Sequence, residues 1–296
     1  MITRRPRSFV LVASLVLAAC GGGSANRADV VAETTAQVVP DHWAQFARAA
    51  DELEAVTGAA CEDDEAPESI GVAVTSARAL WTGLNPWWFG PVMDERSRFV
   101  VDFDVDPVEI DALLASAESL DATTLRDLYG ADQRGLGAID AVLASTVELN
   151  ERQCEFLVAN AGLVRAEAAT LAASWEQFGV DAAADDAAAN ATIEAMVNEV
   201  LFALAALADE ADPAVTASTL QGIRFALVGA PDPNDGPTGI AALLDDAVAE
   251  QLGVELDAAI ADPTSESIMA VEITVTTNVV STLGLSVQFS DADGDG

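Results

Sequence analysis

The sequence predicts an all-α protein with two helical bundle-like halves. Apolar residues recur at spacings of three and four along most of the chain, which is the pattern of amphipathic helices. Asp-Pro pairs precede three of these patterns, and this pair favours a helix start because Asp caps free amides and Pro suits the first turn. The pairs begin at Asp106, Asp212 and Asp262. The composition is alanine-rich with 5% aromatic residues, which suits closely packed helices.

Changes of pattern along the chain predict its organisation. We expect a signal peptide over residues 1–19, a flexible tether over 20–39, an N-terminal half over 40–180, a C-terminal half over 181–289 and an acidic tail over 290–296. The boundary between the halves lies where the helical pattern breaks, between Gly179 and Asp186. Both termini are expected to be disordered.

Two amphipathic helices open the first half. The first is expected to start near Asp41, a good N-cap after Pro40. The second is expected to stop at Asn85-Pro86, because the residue before proline disfavours the helical conformation. The aromatic run from Trp87 to Pro91 then predicts an irregular Trp-rich loop. The apolar stripes of the two helices are Trp43, Phe46, Ala50, Leu53 and Val56, followed by Val74, Ala77, Trp81 and Leu84.

One long helix, straight or kinked, is predicted from Leu136 to Phe178. Its seam residues alternate spacings of four and three, which is a heptad pattern typical of a buried bundle helix. The polar seam residues Asp140 and Asn150 would need buried partners. Cys154 would face the core, where the first helix could meet it. The seam is Leu136, Asp140, Leu143, Val147, Asn150, Cys154, Leu157, Ala161, Val164, Ala168, Leu171, Trp175 and Phe178.

Four helices are predicted in the second half, and Asp212-Pro213 starts the second of them. The segment from Pro231 to Pro237 is expected to be a loop before the third. Residues 265–283 fit both a strand and a helix, and we favour a helix because no second strand lies nearby for pairing. The stripes of the first and third helices are Ile193, Val197, Val200, Leu204 and Leu207, and Ile240, Leu244, Val248, Leu252 and Leu256.

The N-terminus is built like a bacterial lipoprotein signal. Arg4, Arg5 and Arg7 precede a short apolar stretch, and Leu17-Ala18-Ala19-Cys20 resembles a cleavage site that ends in the cysteine to be acylated. An ordinary secretory signal with a chance cysteine is the alternative. Lipidation at Cys20 would anchor the chain to a membrane. No later stretch was expected to span a bilayer, so we predict a lipid-anchored protein of the cell envelope, on the periplasmic or outer-membrane face.

The chain is strongly acidic, with a formal net charge of −36 and no lysine. Such a chain repels phosphate, which excludes nucleic acid as a partner. It attracts cations and basic proteins, although an acidic surface adapted for solubility is the simpler interpretation.

Two cysteines remain after Cys20. In an oxidising compartment an even pair favours a disulfide between Cys61 and Cys154, and two buried thiols are the alternative. A catalytic thiol is less favoured, since His42, the one histidine, would have to serve as its base.

Four segments in order resemble the imelysin family, whose members are periplasmic or surface lipoproteins with two helical bundle-like halves. They are Ala77 to Leu114 with its tryptophans and Asp106-Pro107, Gly130 to Asp140, Arg152-Gln153-Cys154 with the helix to Trp175, and Leu283 to Asp295. The resemblance covers nearly all of the mature chain. It implies a link to iron acquisition, and a peptidase activity for some members.

The family signature is Gly-x-His-x-x-Glu on a core helix. The matching positions here are Gly135, Gly137 and Asp140, so glycine replaces the histidine and aspartate replaces the glutamate. A branch of the family that reads Arg-Gly-Leu-x-Ala-Leu-Glu also lacks the histidine, and this chain resembles that branch. By the resemblance, Asp140 is either the relic of a cleft site, paired with Arg134 or another arginine, or a buried carboxylate that orients the bundle. The possible cleft residues are Arg134, Trp81, Trp87 and Trp88, although a packed core edge is the favoured interpretation of the three tryptophans.

The sequence offers few metal ligands. A zinc peptidase needs nitrogen or thiolate ligands, and this chain has one histidine and no His-Glu-x-x-His run. Carboxylates such as Asp140 could hold iron, so iron is a possible cofactor. The tail residues Asp291, Asp293 and Asp295 match the start of a calcium loop that lacks its final glutamate, so calcium binding is expected to be weak.

The sequence therefore predicts a non-enzymatic imelysin-like envelope lipoprotein. It would bind a metal, a metal complex or a partner protein in iron uptake. Two alternatives stay open: a divergent metallopeptidase of the imelysin type, and a degenerate structural member without a working site.

Overall fold

A computed structural model describes residues 26–35, 39–62, 67–116, 118–146, 148–208, 210–229 and 239–287. Within these ranges the chain is helical and contains no strand, which confirms the predicted all-α class. Cys20 and the tail aspartates Asp291, Asp293 and Asp295 lie outside them. The α-helices are α1 Arg27–Glu33, α2 Val39–Glu62, α3 Glu68–Gly83, α4 Pro91–Asp94, α5 Arg98–Val101, α6 Pro107–Ala115, α7 Ala122–Leu128, α8 Gly135–Ser145, α9 Glu151–Ala182, α10 Asp186–Ala206, α11 Pro213–Val228, α12 Asp246–Ala261, α13 Ser265–Thr274 and α14 Val280–Leu283.

The long helices α2 and α9 form an antiparallel pair at the centre of the fold. Near one end a disulfide joins Cys61 to Cys154, with their Cα atoms 5.5 Å apart, so the predicted bridge is confirmed. Near the other end the rings of Trp43 and Trp175 stack with centroids 5.9 Å apart, and both side chains are fully buried. The pair thus has a covalent contact at one end and an aromatic contact at the other.

The predicted single helix over Leu136–Phe178 is wrong, because the chain breaks between α8 and α9. Asn150 is the N-cap of α9: its side chain accepts from the Gln153 amide, and the Gln153 side chain accepts from the Asn150 amide. Asn150 is therefore a capping residue at a helix start and not a buried seam residue. The apolar spacing continues across the break because both helices face the same core.

α1 lies inside the segment that was predicted to be a flexible tether. It is capped by Asn26, whose side chain accepts from the Ala28 amide at 2.9 Å. Val30 is buried, and Arg27 donates to the side chain of Asn190 and to the carbonyl of Leu283. The tether prediction is thus corrected for Arg27–Glu33, since Arg27 attaches this helix to α10 and α14 and Val30 is buried.

The Trp-rich segment is more regular than expected, because Asn85–Trp87 forms a 3-10 turn that leads into α4. Asp106 and Asp212 cap α6 and α11 as predicted, by accepting from amides two residues ahead. Asp262 does not cap a helix start. It ends α12, and Thr264 caps α13 through a reciprocal contact with Ser267.

The predicted helix over residues 265–283 is confirmed as α13 and α14, joined by a π-helical turn at Val275–Val279. The stripe that was expected to form one helix from Ile240 is divided. Ile240 lies in a 3-10 turn, and α12 begins at Asp246.

α9 is long and apolar enough to cross a membrane by length and composition, which corrects the expectation that no later stretch would be. Its apolar side is used by the fold, since Phe156, Leu157, Val164 and Leu171 are fully buried in the core. α9 ends three residues before α10, and one continuous apolar core includes residues from both. The division of the chain into halves near residue 180 stays a prediction.

Candidate functional site

The first signature position, Gly135, has a backbone that only glycine adopts easily. Its φ is +84°, and a Cβ there would lie 2.6 Å from the Val101 carbonyl oxygen and 2.7 Å from that of Val100. Its amide donates to the buried side chain of Asn160 at 2.8 Å. The glycine therefore lets α8 begin directly against the end of α5.

Gly137 stands at the position of the family histidine, and the space for a side chain there is filled. A Cβ on Gly137 would lie 2.9 Å from the carbonyl oxygen of Phe103 and 3.0 Å from a methyl carbon of Val105. An imidazole could enter only if this segment moved away. Phe103 and Val105 therefore leave no room for a side chain at Gly137.

Arg78 of α3 joins two carboxylates at this point. Its Nε donates to Asp102 at 2.8 Å and its Nη2 donates to the other oxygen of Asp102 at 3.3 Å. Its Nη1 donates to Asp140. Asp140 is therefore paired with Arg78, which lies 62 residues away in sequence, and not with Arg134. The Gly137 amide adds a further hydrogen bond to Asp102.

Burial and charge pairing oppose each other in this cluster, which we call the Arg78 clamp (Arg78, Asp102 and Asp140). Burial raises the pKa of Asp102, and the hydrogen bond and charge of Arg78 lower it only in part. Burial would lower the pKa of Arg78, but the hydrogen bonds and charges of Asp102 and Asp140 outweigh it, so that pKa is raised. The guanidinium stays charged and offsets one of the two carboxylate charges.

The Arg78 clamp does not fit a metal ion. A guanidinium lies where a cation would have to bind, and the lone pairs of the two carboxylates accept its hydrogen bonds. The histidine position offers no nitrogen. Throughout the described ranges no group of three His, Cys, Asp or Glu side chains is placed to hold a metal.

Asp140 also borders an open groove of about 890 Å³ between α3 and α8. Its side chain is 43% exposed, so one side of the carboxylate contacts Arg78 and the other faces the groove. Glu68 and Thr146 line the same groove. Asp140 is thus partly exposed and lies at the edge of the groove.

Arg134 has a structural environment. Its Nε donates to the Phe99 carbonyl at 3.0 Å, and its Nη1 donates to the carbonyls of Leu125, Arg126 and Tyr129. Burial, followed by the charges of Arg126 and Arg96, lowers its pKa. The prediction that Arg134 pairs with Asp140 is therefore wrong. Arg134 instead holds the segment before α8 through hydrogen bonds to backbone carbonyls.

The predicted cleft tryptophans do not share one cavity. Trp81 is fully buried and lies 4.7 Å, ring to ring, from Trp88, whose ring also contacts the guanidinium of Arg98 at 4.9 Å. Trp87 borders a separate cavity of about 720 Å³, together with His42. Trp81 and Trp88 therefore belong to a packed core edge, and Trp87 borders a cavity.

A fully buried carboxylate was not predicted from the sequence. Glu167 of α9 has no exposed surface, and it accepts from the Ser97 hydroxyl and from Arg126 at 2.7 Å. No local pattern distinguishes Glu167 from the exposed acids of α9, because its partners come from α7 and from the residue before α5.

Glu199 of α10 is a second acid that the sequence did not indicate, and its side chain is half-buried. Burial raises its pKa to about 7, and the charge of Arg98 opposes this shift only weakly. Its folded pKa thus lies above the 4.5 of the free group, so ionisation in the folded state costs free energy.

Stability is therefore expected to fall as pH rises from about 4.5 to above 7, because the unfolded chain releases this proton first. We expect Glu199→Gln to remove this group's contribution to the fall, roughly 3 to 4 kcal/mol at about 1.4 kcal/mol for each pKa unit. Urea denaturation of both proteins between these pH values measures the difference. Parallel pH profiles for the two proteins would contradict the assignment.

Comparisons with known proteins agree with this fold. The family model described as Peptidase_M75: Imelysin matches residues 38–238. An imelysin-like protein from Psychrobacter arcticum 273-4 has a TM-score of 0.72 at 16% identity, over 89% of this chain and 97% of that one. An iron-regulated protein A precursor from Parabacteroides distasonis ATCC 8503 has a TM-score of 0.62 at 13% identity, over 87% and 93%. A search of curated proteins found no significant match.

At these identities the two structures establish a common fold. The family match is broader evidence, since it spans about two thirds of the sequence and includes α2, the Arg78 clamp, α8 and α9. The chain belongs to the imelysin family.

Proposed function

We propose that this chain is a non-enzymatic imelysin-family protein that acts by binding, as an envelope lipoprotein in iron acquisition. The Arg78 clamp is the observation that carries the proposal. The Arg78 guanidinium pairs with Asp140, which matches the signature glutamate, and with Asp102 beside it, and Phe103 and Val105 occupy the space for a side chain at Gly137. A hydrolytic metal centre would need an open coordination position that this arrangement does not provide.

The link to iron rests on family membership and on one related structure, whose name describes an iron-regulated protein precursor. We infer that the protein binds an intact iron complex and not the bare ion, since the described residues contain no group of three His, Cys, Asp or Glu side chains that could coordinate iron directly. The envelope location rests on the signal-like sequence up to Cys20. Labelling with a radioactive fatty acid tests the anchor: wild type should be labelled, and Cys20→Ser should not.

Calorimetry on protein lacking residues 1–20 tests the binding proposal. We expect saturable heat with ferric citrate or haem, and none with Ca²⁺. Flat traces for both iron complexes would overturn the binding proposal. Cleavage of protamine that chelators abolish, and that Asp140→Ala removes, would overturn the non-enzymatic part.

Removing the guanidinium tests why the signature position does not take a metal. Arg78→Met leaves Asp102 and Asp140 facing each other without a cation, so we expect this variant to gain affinity for Tb³⁺, a probe for oxygen-ligand sites. The gain should disappear in Arg78→Met with Asp140→Asn. Equal Tb³⁺ luminescence from wild type and Arg78→Met would contradict the idea that Arg78 replaces a cation.

A further inference from the structure

A cavity of about 720 Å³ lies apart from the Arg78 clamp, where α2 and α3 of the first half meet α11 and α12 of the second. Its volume is in the range of small-molecule sites. Most of its lining is apolar, with Leu80, Leu84 and Ile260 among the wall residues. None of the signature residues borders it.

We propose that this cavity binds a small, uncharged aromatic molecule. Three rings form one wall of it: His42 lies 4.5 Å from Phe225 and 6.3 Å from Trp87, measured between ring centroids, and Trp87 lies 5.7 Å from Phe225. Such a wall favours a planar ring, which can stack or meet the three rings edge to face. His42, the one histidine of the sequence, is thus part of this wall.

Polar side chains in the lining allow a polar feature on the ligand. The amides of Gln45 and Gln221 border the cavity and offer both donors and acceptors. A ligand with a hydrogen-bonding group at its edge could pair with them. Trp87 is 1% exposed and contributes its ring, not its buried indole N–H, to the wall.

The charges of the lining favour an uncharged ligand. The cationic and anionic lining residues, Arg224 and Asp257, pair with each other at 2.6 Å. Their charges cancel, so the lining offers no net charge to an ion.

The frame of the cavity is fixed by direct backbone contact. A Cβ on Gly222 of α11 would lie 2.0 Å from the carbonyl oxygen of Gly83 in α3. The two helices therefore approach as closely as glycine allows. Gly83 and Gly222 both border the cavity, so this contact fixes the distance between the walls formed by α3 and α11. A fixed distance favours a cavity that is already formed without a ligand.

Two fluorescent probes that differ by one sulfonate test the proposal. We expect the neutral N-phenyl-1-naphthylamine to give saturable fluorescence at one site on wild-type protein. The anionic 8-anilinonaphthalene-1-sulfonate should bind at least tenfold more weakly. No saturable signal from the neutral probe would overturn the site, and equal affinity for the two probes would overturn its preference for uncharged ligands.

Variants locate the bound probe. Ser218→Trp places a large side chain in the cavity and should weaken binding at least tenfold, while the matched control Ser281→Trp on the exposed side of α14 should leave it unchanged. Phe225→Leu keeps most of the volume but removes one ring, and should weaken binding severalfold even if Ser218→Trp fails to fold. Unchanged affinity in folded Phe225→Leu, or equal losses in both tryptophan variants, would overturn the assignment.

Discussion

Removing the disulfide by Cys61→Ser with Cys154→Ser is expected to lower the free energy of unfolding by about 4 to 5 kcal/mol. The bridge spans 93 residues of sequence, so it withdraws much conformational freedom from the unfolded chain. In the folded state it joins α2 to α9, whose side chains already pack together along both helices. We therefore expect the loss to come mainly from the unfolded state, with little change in the helical signal of the folded protein.

Urea denaturation followed by circular dichroism measures this loss. Wild-type protein treated with a reductant should match the double serine variant, and the reductant should not affect that variant further. The protein without residues 1–20 should also contain no reactive thiol until it is unfolded and reduced. A free thiol in the oxidised protein, or equal midpoints with and without reductant, would argue against the bridge.

Arg126→Met is expected to destabilise the protein by about 3 to 4 kcal/mol, because it leaves the Glu167 carboxylate buried without its cation. Glu167 has no exposed side-chain surface and depends on Arg126 and Ser97 for its hydrogen bonds. The variant keeps a long apolar side chain, so the loss reports the missing charge more than missing packing. Thermal melts and urea titrations at neutral pH measure it.

Arg165 offers the matched control. It also pairs with a glutamate, Glu54 at 2.6 Å, but both side chains are more than one third exposed. Arg165→Met should therefore cost less than about 1 kcal/mol. Adding Glu167→Leu to Arg126→Met should restore part of the stability, since a buried ion pair can often be replaced by apolar side chains. Similar losses for the two arginine variants would show that burial of Glu167 does not matter.

The sequence predicted well those features that depend on the apolar face or the end of a single helix. The apolar stripes of α2 and α3 are buried because a core must cover residues that recur every three or four positions. The end of α3 before Pro86 follows from local sterics. The break before α9 has a local signal in the sequence, since Asn150 and Gln153 form a capping pair. The apolar spacing of three and four continues across this break and favours one long helix instead.

The candidate site was harder to predict because its members are distant in sequence. The partner of Asp140 is 62 residues away on α3, and Asp102 lies in an irregular stretch with no periodic signal. Only the crossing of α3 and α8 brings them together. The same reason applies to His42, since a residue in the first turn of a helix gives no sign that α11 lies against it.

The π-helical turn at Val275–Val279 has a geometric consequence for the last helix. A regular α-helix advances about 100° per residue, so each step of four residues overshoots a full turn by about 40°. Val271, Val275, Val279 and Leu283 are separated by three such steps, and all four are buried. On an uninterrupted α-helix they would fan out over about 120°. The wider turn advances less per residue and rotates the later positions back, so it acts as a phase correction that keeps all four side chains along one line.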